Sequence, residues 1–194
     1  MAPRRNDRAA GFLHDGSFPT PETDMAGLTS LGIVHTAISL VAVAAGIAAL
    51  VKHHHILDTT PSGRVYLWGT VLTCITGFGI FQHGGFGKPH ALGVITLLVL
   101  ALAWVAGHTA LFGRASAGVA SISYSLTLFF HSIPGMTETS TRLPVNAPLA
   151  SGPDDPGLQA AVGIAFLVLL AGAALQIRDL RRRTAGGGRA LPVA

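Results

Sequence analysis

Five side chains in this 194-residue sequence have the chemistry to hold a metal centre between them: His35, His83, His90, His131 and Glu138. Imidazole is the commonest biological metal ligand, one ring nitrogen binding while the other is oriented by a neighbour. Cys74 is the only cysteine, which excludes thiolate clusters and an intrachain disulfide. Nitrogen donors with a carboxylate suit zinc, copper or haem iron. Haem of the b type needs two facing axial ligands, for which His35 with His131, or His35 with His90, are the natural pairs. It also needs an apolar slot, which Gly32, Gly46, Gly77, Gly79 and Gly93 could widen.

Other chemistry-bearing patterns carry less. Gly84-Gly85-Phe86-Gly87-Lys88-Pro89 has no strand before it and no Ser or Thr after the lysine, so it is not a phosphate-binding loop. No Gly-x-Ser-x-Gly elbow or His-Glu-x-x-His pair is present. The run His53-His54-His55 reads as a solvated loop, because adjacent helical residues point different ways and cannot share one ion. Glu138 and Arg142 are four apart and can pair across one helical turn. A short helix there would lie over the outer histidines, with Glu138 as a ligand or as an acceptor for an imidazole N–H.

The elements that must position these groups are membrane helices. The chain is 49% hydrophobic and 11% charged, against about 25% charged in a soluble domain. The charges cluster between long apolar runs, the distribution a bilayer imposes. Five runs approach the length needed to cross it: Leu28–Val51, Val65–Phe81, His90–Phe112, Gly118–Ile133 and Leu158–Ile177. The fourth is short and rich in Ser and Thr, tolerable for a helix packed inside a bundle. The connections are short except 134–157, where Pro134, Pro144, Pro148, Pro153 and Pro156 argue against continuous helix. The expected fold is an all-α membrane protein: an up-and-down four-helix transmembrane bundle with a fifth transmembrane helix at its periphery. Residues 1–27 form a polar tail expected to be poorly ordered, 28–177 the membrane domain, and 178–194 a basic tail.

Orientation follows from Lys and Arg. With the N-terminus outside and the C-terminus cytoplasmic, the inner side receives Lys52, Arg64, Arg114, Arg178, Arg181, Arg182, Arg183 and Arg189. The outer side keeps Lys88 and Arg142 near the spans. No aromatic residue interleaves with the terminal arginines, so they read as a topology anchor and not as a nucleic-acid surface. This orientation brings His35, His83, His90, His131 and Glu138, from separate elements, to one outward face.

His35 in the first span, Pro89-His90-Ala91-Leu92-Gly93 opening the third, and Met136-Thr137-Glu138-Thr139-Ser140-Thr141-Arg142-Leu143-Pro144 after the fourth form a layout. It resembles a bacterial family of small integral membrane proteins of unknown function, over residues 28–145. Members of that family often carry a basic residue after the third-span histidine, where this chain has Ala91. The histidine-bearing four-helix layout is also similar to membrane b-type cytochromes. These resemblances imply a bacterial inner-membrane location and no particular reaction.

The leading expectation is a membrane-embedded haem- or metal-binding protein with an outward-facing histidine site, working in electron transfer with a membrane redox partner. Its alternative is an accessory subunit of a larger membrane complex with no cofactor of its own. Small residues at Ala42, Ala45, Gly46 and Ala49, and at Ala171, Gly172 and Ala174, would permit close helix contact in such a complex. Coupled transport is disfavoured by the lack of an acidic residue within any span.

Overall fold

The computed structural model describes residues 29–81 and 85–185, and within them the chain is all-α. Five helices follow in order: α1 (Ser30–His53), α2 (Pro61–Gly77), α3 (Lys88–His108), α4 (Ser116–Arg142) and α5 (Pro156–Ala185). A single 3₁₀ turn at Gly113–Ala115 precedes α4, and no strand occurs among the described residues. The tail 1–27, His83 and the end of the basic tail from 186 lie outside them.

Local chemistry sets the boundaries. Thr29 caps α1 by accepting the Gly32 N–H at 3.1 Å, and Thr60 caps α2 by accepting that of Gly63 at 3.1 Å. Pro61 occupies the first turn of α2, where its missing N–H costs nothing. α1 stops at His54, whose φ of 64° is left-handed. The helix α2 therefore begins and ends four residues earlier than its apolar run, Val65–Phe81.

α4 differs more from expectation. It continues through Pro134 to Arg142, so the stretch after Ile133 is two further turns of the same helix and not a separate short helix over the histidines. A proline removes one helical hydrogen bond and crowds the preceding turn. Hydroxyls around it bond back onto other helix carbonyls: Ser132 donates to that of Phe129, Thr137 to that of Ile133, and Thr141 to that of Thr137. The true connection to α5 is only 143–155.

At its end Asp155 receives the Ser151 N–H (3.2 Å), the Gly157 N–H (2.8 Å) and the Leu158 N–H (3.4 Å). The Ser151 and Gly157 amides hold its carboxyl below the usual carboxylate range. A depressed folded pKa means that this cap is fully engaged above the ordinary value of about 3.9 and is lost as the pH falls through the folded value. Amide exchange at Gly157 and Leu158 will accelerate in Asp155→Ala at neutral pH. In more acidic solution the variant and the wild type will converge.

Packing closes a ring. α1 lies mainly against α2 and α3 mainly against α4, with α2–α3 and α1–α4 contacts completing the circuit, while α5 touches α4 alone among the helices. Small residues bring α1 and α2 together: a Cβ on Gly69 would come 2.8 Å from the Ala42 Cβ, and one on Gly46 would come 2.7 Å from the Tyr66 ring. Tyr66, Ala49, Ile56, Leu100, Ala103 and Tyr124 form the apolar centre.

The distribution of polarity is inverted relative to a water-soluble bundle. Thr70, Thr73, Thr96, Ser121, Ser123, Ser125, Thr127 and Gln176 are buried, while Leu40, Val51, Trp68, Leu98, Leu167 and Val168 are exposed. The α4 hydroxyls face inward, where helix carbonyls and neighbouring helices can satisfy them. An apolar exterior of this extent in water would be an aggregation surface. By length and composition, α1, α3 and α5 are each able to cross a membrane. α2, with 17 residues, and the hydroxyl-rich α4 fall short of that measure.

Candidate metal centre

His35 lies on α1 and His131 on α4, two helices that touch. Each ring is set by a hydrogen bond whose chemistry decides which nitrogen carries the proton. His131 lies one turn after Thr127, and its Nδ1 is 3.0 Å from the Thr127 carbonyl. A carbonyl can only accept, so Nδ1 carries the hydrogen and Nε2 keeps the lone pair. That Nε2 is buried and meets no hydrogen-bond partner among the described residues.

His35 repeats the pattern by another route. Its Nδ1 is 3.0 Å from the Thr76 hydroxyl on α2. That hydroxyl already donates to the Leu72 carbonyl at 2.8 Å. With the hydroxyl hydrogen on that carbonyl, the imidazole is the donor and Nε2 keeps its lone pair. Gly77 makes room for the ring, since a Cβ there would lie 3.2 Å from the His35 Cε1. His35 and His131 stand within each other's electrostatic field, and Glu138 contributes to the field at His35.

Glu138 is exposed on the last turns of α4 and pairs with Arg142 at 2.6 Å. An exposed i,i+4 pair is worth a few tenths of a kcal/mol. Glu138→Gln will thus leave thermal stability within about 0.5 kcal/mol of wild type, measured by thermal melting in detergent.

His90 is placed differently. It opens α3 at the α2–α3 seam, packed against Phe78, Phe81 and Phe86 with ring centroids 6.5, 5.0 and 5.3 Å away. The Gly87 N–H donates to its Nδ1 at 3.3 Å, which puts the proton of the neutral ring on Nε2. Its Nε2 is buried and without a partner among the described residues, and in this tautomer it offers a hydrogen and not a lone pair. His131 and Glu138 thus lie two turns apart on α4, His35 lies on the touching helix α1, and His90 stands apart in an aromatic pocket. No group of three His, Cys, Asp or Glu side chains among the described residues forms a ready-made metal cage.

Four of the five glycines expected to widen a haem slot have occupied neighbourhoods. A Cβ on Gly46 would meet Tyr66, on Gly77 His35, on Gly79 Leu31 and on Gly93 Phe78, each at 3.2 Å or less. Side chains fill the spaces that those glycines leave.

The opposite end of the bundle holds a polar node that the sequence concealed. His55 is fully buried, not part of a solvated loop. Its Nδ1 is 2.7 Å from the Ser121 hydroxyl on α4, and its Nε2 is 2.8 Å from Asp179 on α5. Asp179 also accepts from Arg183 at 2.7 Å. One residue earlier, the His54 carbonyl accepts from Gln176, which exchanges hydrogen bonds with Ser125. Nearby, the His108 Nδ1 bonds the Trp104 carbonyl at 2.9 Å and its Nε2 lies 3.5 Å from Asp58. Both nitrogens of His55 are committed to protein partners, so this node fastens helices together and offers no ligand. Only the apolar Ile56 after the run hinted that the chain turns back into the core here.

No protein-family model, curated protein or solved structure matches this chain.

Proposed function

We propose that the chain is a five-span membrane protein whose outward end binds a transition-metal ion through the Nε2 atoms of His35 and His131, and that it serves electron transfer. The observation that carries this reading is the tautomer match. Two imidazoles from different helices each turn Nδ1 to an oxygen of the fold, a carbonyl for His131 and a hydroxyl with its own carbonyl partner for His35, and with Nδ1 protonated each keeps a lone pair on Nε2. A buried nitrogen left unpaired costs about 1–3 kcal/mol, a cost that a coordinated ion would offset. Glu138, two turns beyond His131 on α4, would complete the set on leaving Arg142, and solvent would fill the remaining positions. Two imidazoles and a carboxylate suit copper or zinc, of which copper is redox-active. Haem iron could take the same two Nε2 atoms, but the occupied glycine surfaces favour a single ion over a macrocycle.

The five crossings are supported by connectivity. Hairpin connections at 54–60, 78–87 and 109–115 oblige α2 and α4 to run back alongside α1 and α3. The inward-turned hydroxyls of α4 suit a helix shielded by its neighbours. The excess of Lys and Arg at the end carrying residues 52, 64, 114 and 178–183 supports an outer N-terminus and an inner C-terminus.

Elemental analysis and the absorption spectrum of purified protein test the reading. Bound copper or another transition metal near one equivalent per chain is expected. A colourless protein that neither carries metal nor takes it up on reconstitution would overturn the proposal.

A second reading, an accessory subunit of a membrane complex, draws on α5. A Cβ on Gly163 or Gly172 would meet nothing within 4 Å, and Ile164, Leu167 and Val168 are exposed beside them. By contrast Ala42, Gly46 and Ala49 are buried within the chain itself. A stoichiometric partner retained through purification would support this reading, and a stable lone chain would count against it.

A further inference from the structure

Beyond the outer site, the inner end of α5 has a charge distribution that asks for an anion. Arg178, Arg181 and Arg182 line one open groove with Ala174, Ile177 and Ala185, residues that recur at helical spacing on one side of α5. None of the three arginines makes an ion pair among the described residues. The one carboxylate on this part of the helix, Asp179, is held on another face by His55 and Arg183. The His55 node thus keeps the only local counter-charge away from the groove.

We infer that this groove binds the phosphate of an anionic phospholipid. The position suits that occupant. Arg178 follows directly on Ile177, the last residue of the apolar run. From Arg178 to Arg182 the helix advances about 6 Å, roughly the depth of one headgroup layer, given a total bilayer of about 40–45 Å around a 30 Å hydrocarbon core. Ala174 and Ile177 supply a floor on which the first acyl carbons can lie, beneath guanidiniums that can grip phosphate oxygens two at a time. Ala185, at the other end, leaves the headgroup space to enter. Clusters of basic residues just inside a membrane span attract anionic lipids in this way. The inference rests on α5 crossing a bilayer, and is independent of the metal.

Full-length protein in detergent, offered an equimolar mixture of phosphatidylglycerol and phosphatidylcholine, can be read by native mass spectrometry. Wild type is expected to retain phosphatidylglycerol selectively. The triple variant R178Q/R181Q/R182Q should lose that preference by about tenfold or more, with R178Q alone giving a partial loss. An unchanged thermal midpoint for R178Q would show that the loss is not unfolding. Equal retention of the two lipids by wild type, or an undiminished preference in the folded variants, would overturn the inference. So would displacement by millimolar inorganic phosphate as complete as that by excess phosphatidylglycerol, since the groove would then be a phosphate site. Metal content of the same samples reports separately on the outer site: its absence would sink the metal reading and leave the lipid result standing.

Discussion

His55→Ala will loosen α5 from the bundle and lower stability by about 3 kcal/mol. The imidazole is fully buried and bonds α4 and α5 at once, through Ser121 and Asp179, beside the direct Ser125–Gln176 link between the same helices. Its removal strands a buried hydroxyl, leaves a void, and takes one of two side-chain donors from Asp179. Part of the charge interaction is discounted because the Asp179 side chain is about one-third exposed. α5 depends on this node more than its length implies, since α4 is the one helix it touches. Amide exchange should therefore rise first around Gln176 to Arg183, before the α1–α2 hairpin is affected. Unchanged exchange there, with a melting midpoint equal to wild type, would show that the node contributes nothing to docking.

Gly63→Ala will be at least as damaging, by about 3 kcal/mol, although it adds only a methyl group. A Cβ at Gly63 would overlap both the Leu57 carbonyl oxygen and its carbon. Both are backbone atoms, so no rotamer change relieves the overlap. That carbonyl also accepts the Thr60 hydroxyl at 2.7 Å, and the same hydroxyl caps α2. The whole turn from His54 to Thr60 would have to move, carrying Asp58 and the His55 node with it. Thermal melting in detergent checks the loss. Gly135→Ala, where a Cβ meets nothing within 4 Å, serves as the control and should melt with the wild type.

Much of the architecture was open to inspection in the residues. Apolar runs located α1, α3 and α5, because a bilayer demands length and uniform hydrophobicity over each span. The Thr60-Pro61 pair marks the start of α2 better than the run itself, since capping acts before the first apolar residue arrives. Pro134 misled because a proline reads as a terminator, whereas it removes only one helical hydrogen bond and α4 continues through it. His55 was concealed for a different reason: its partner Asp179 is 124 residues away, and no local pattern announces such a pairing.

The candidate centre was half legible. Histidines inside apolar runs are worth attention because ionisable groups in membranes are costly, and that consideration singled out His35 and His131. It could not separate them from His90. The distinction lies in what each Nδ1 meets: a carbonyl for His131, a hydroxyl beside its own helix carbonyls for His35, a backbone N–H for His90. Those partners are set by tertiary packing and helix-cap geometry, and each decides whether the ring is ready to ligate.

Copper or zinc titration of the wild type beside His131→Gln, His35→Gln and His90→Gln tests that distinction most directly. With two lone pairs waiting on α1 and α4, wild type and His90→Gln should each take up one ion per chain, and the other two variants should lose at least about tenfold in affinity. Equal binding by all four proteins, or binding lost only with His90, would place the ion elsewhere and contradict the assignment.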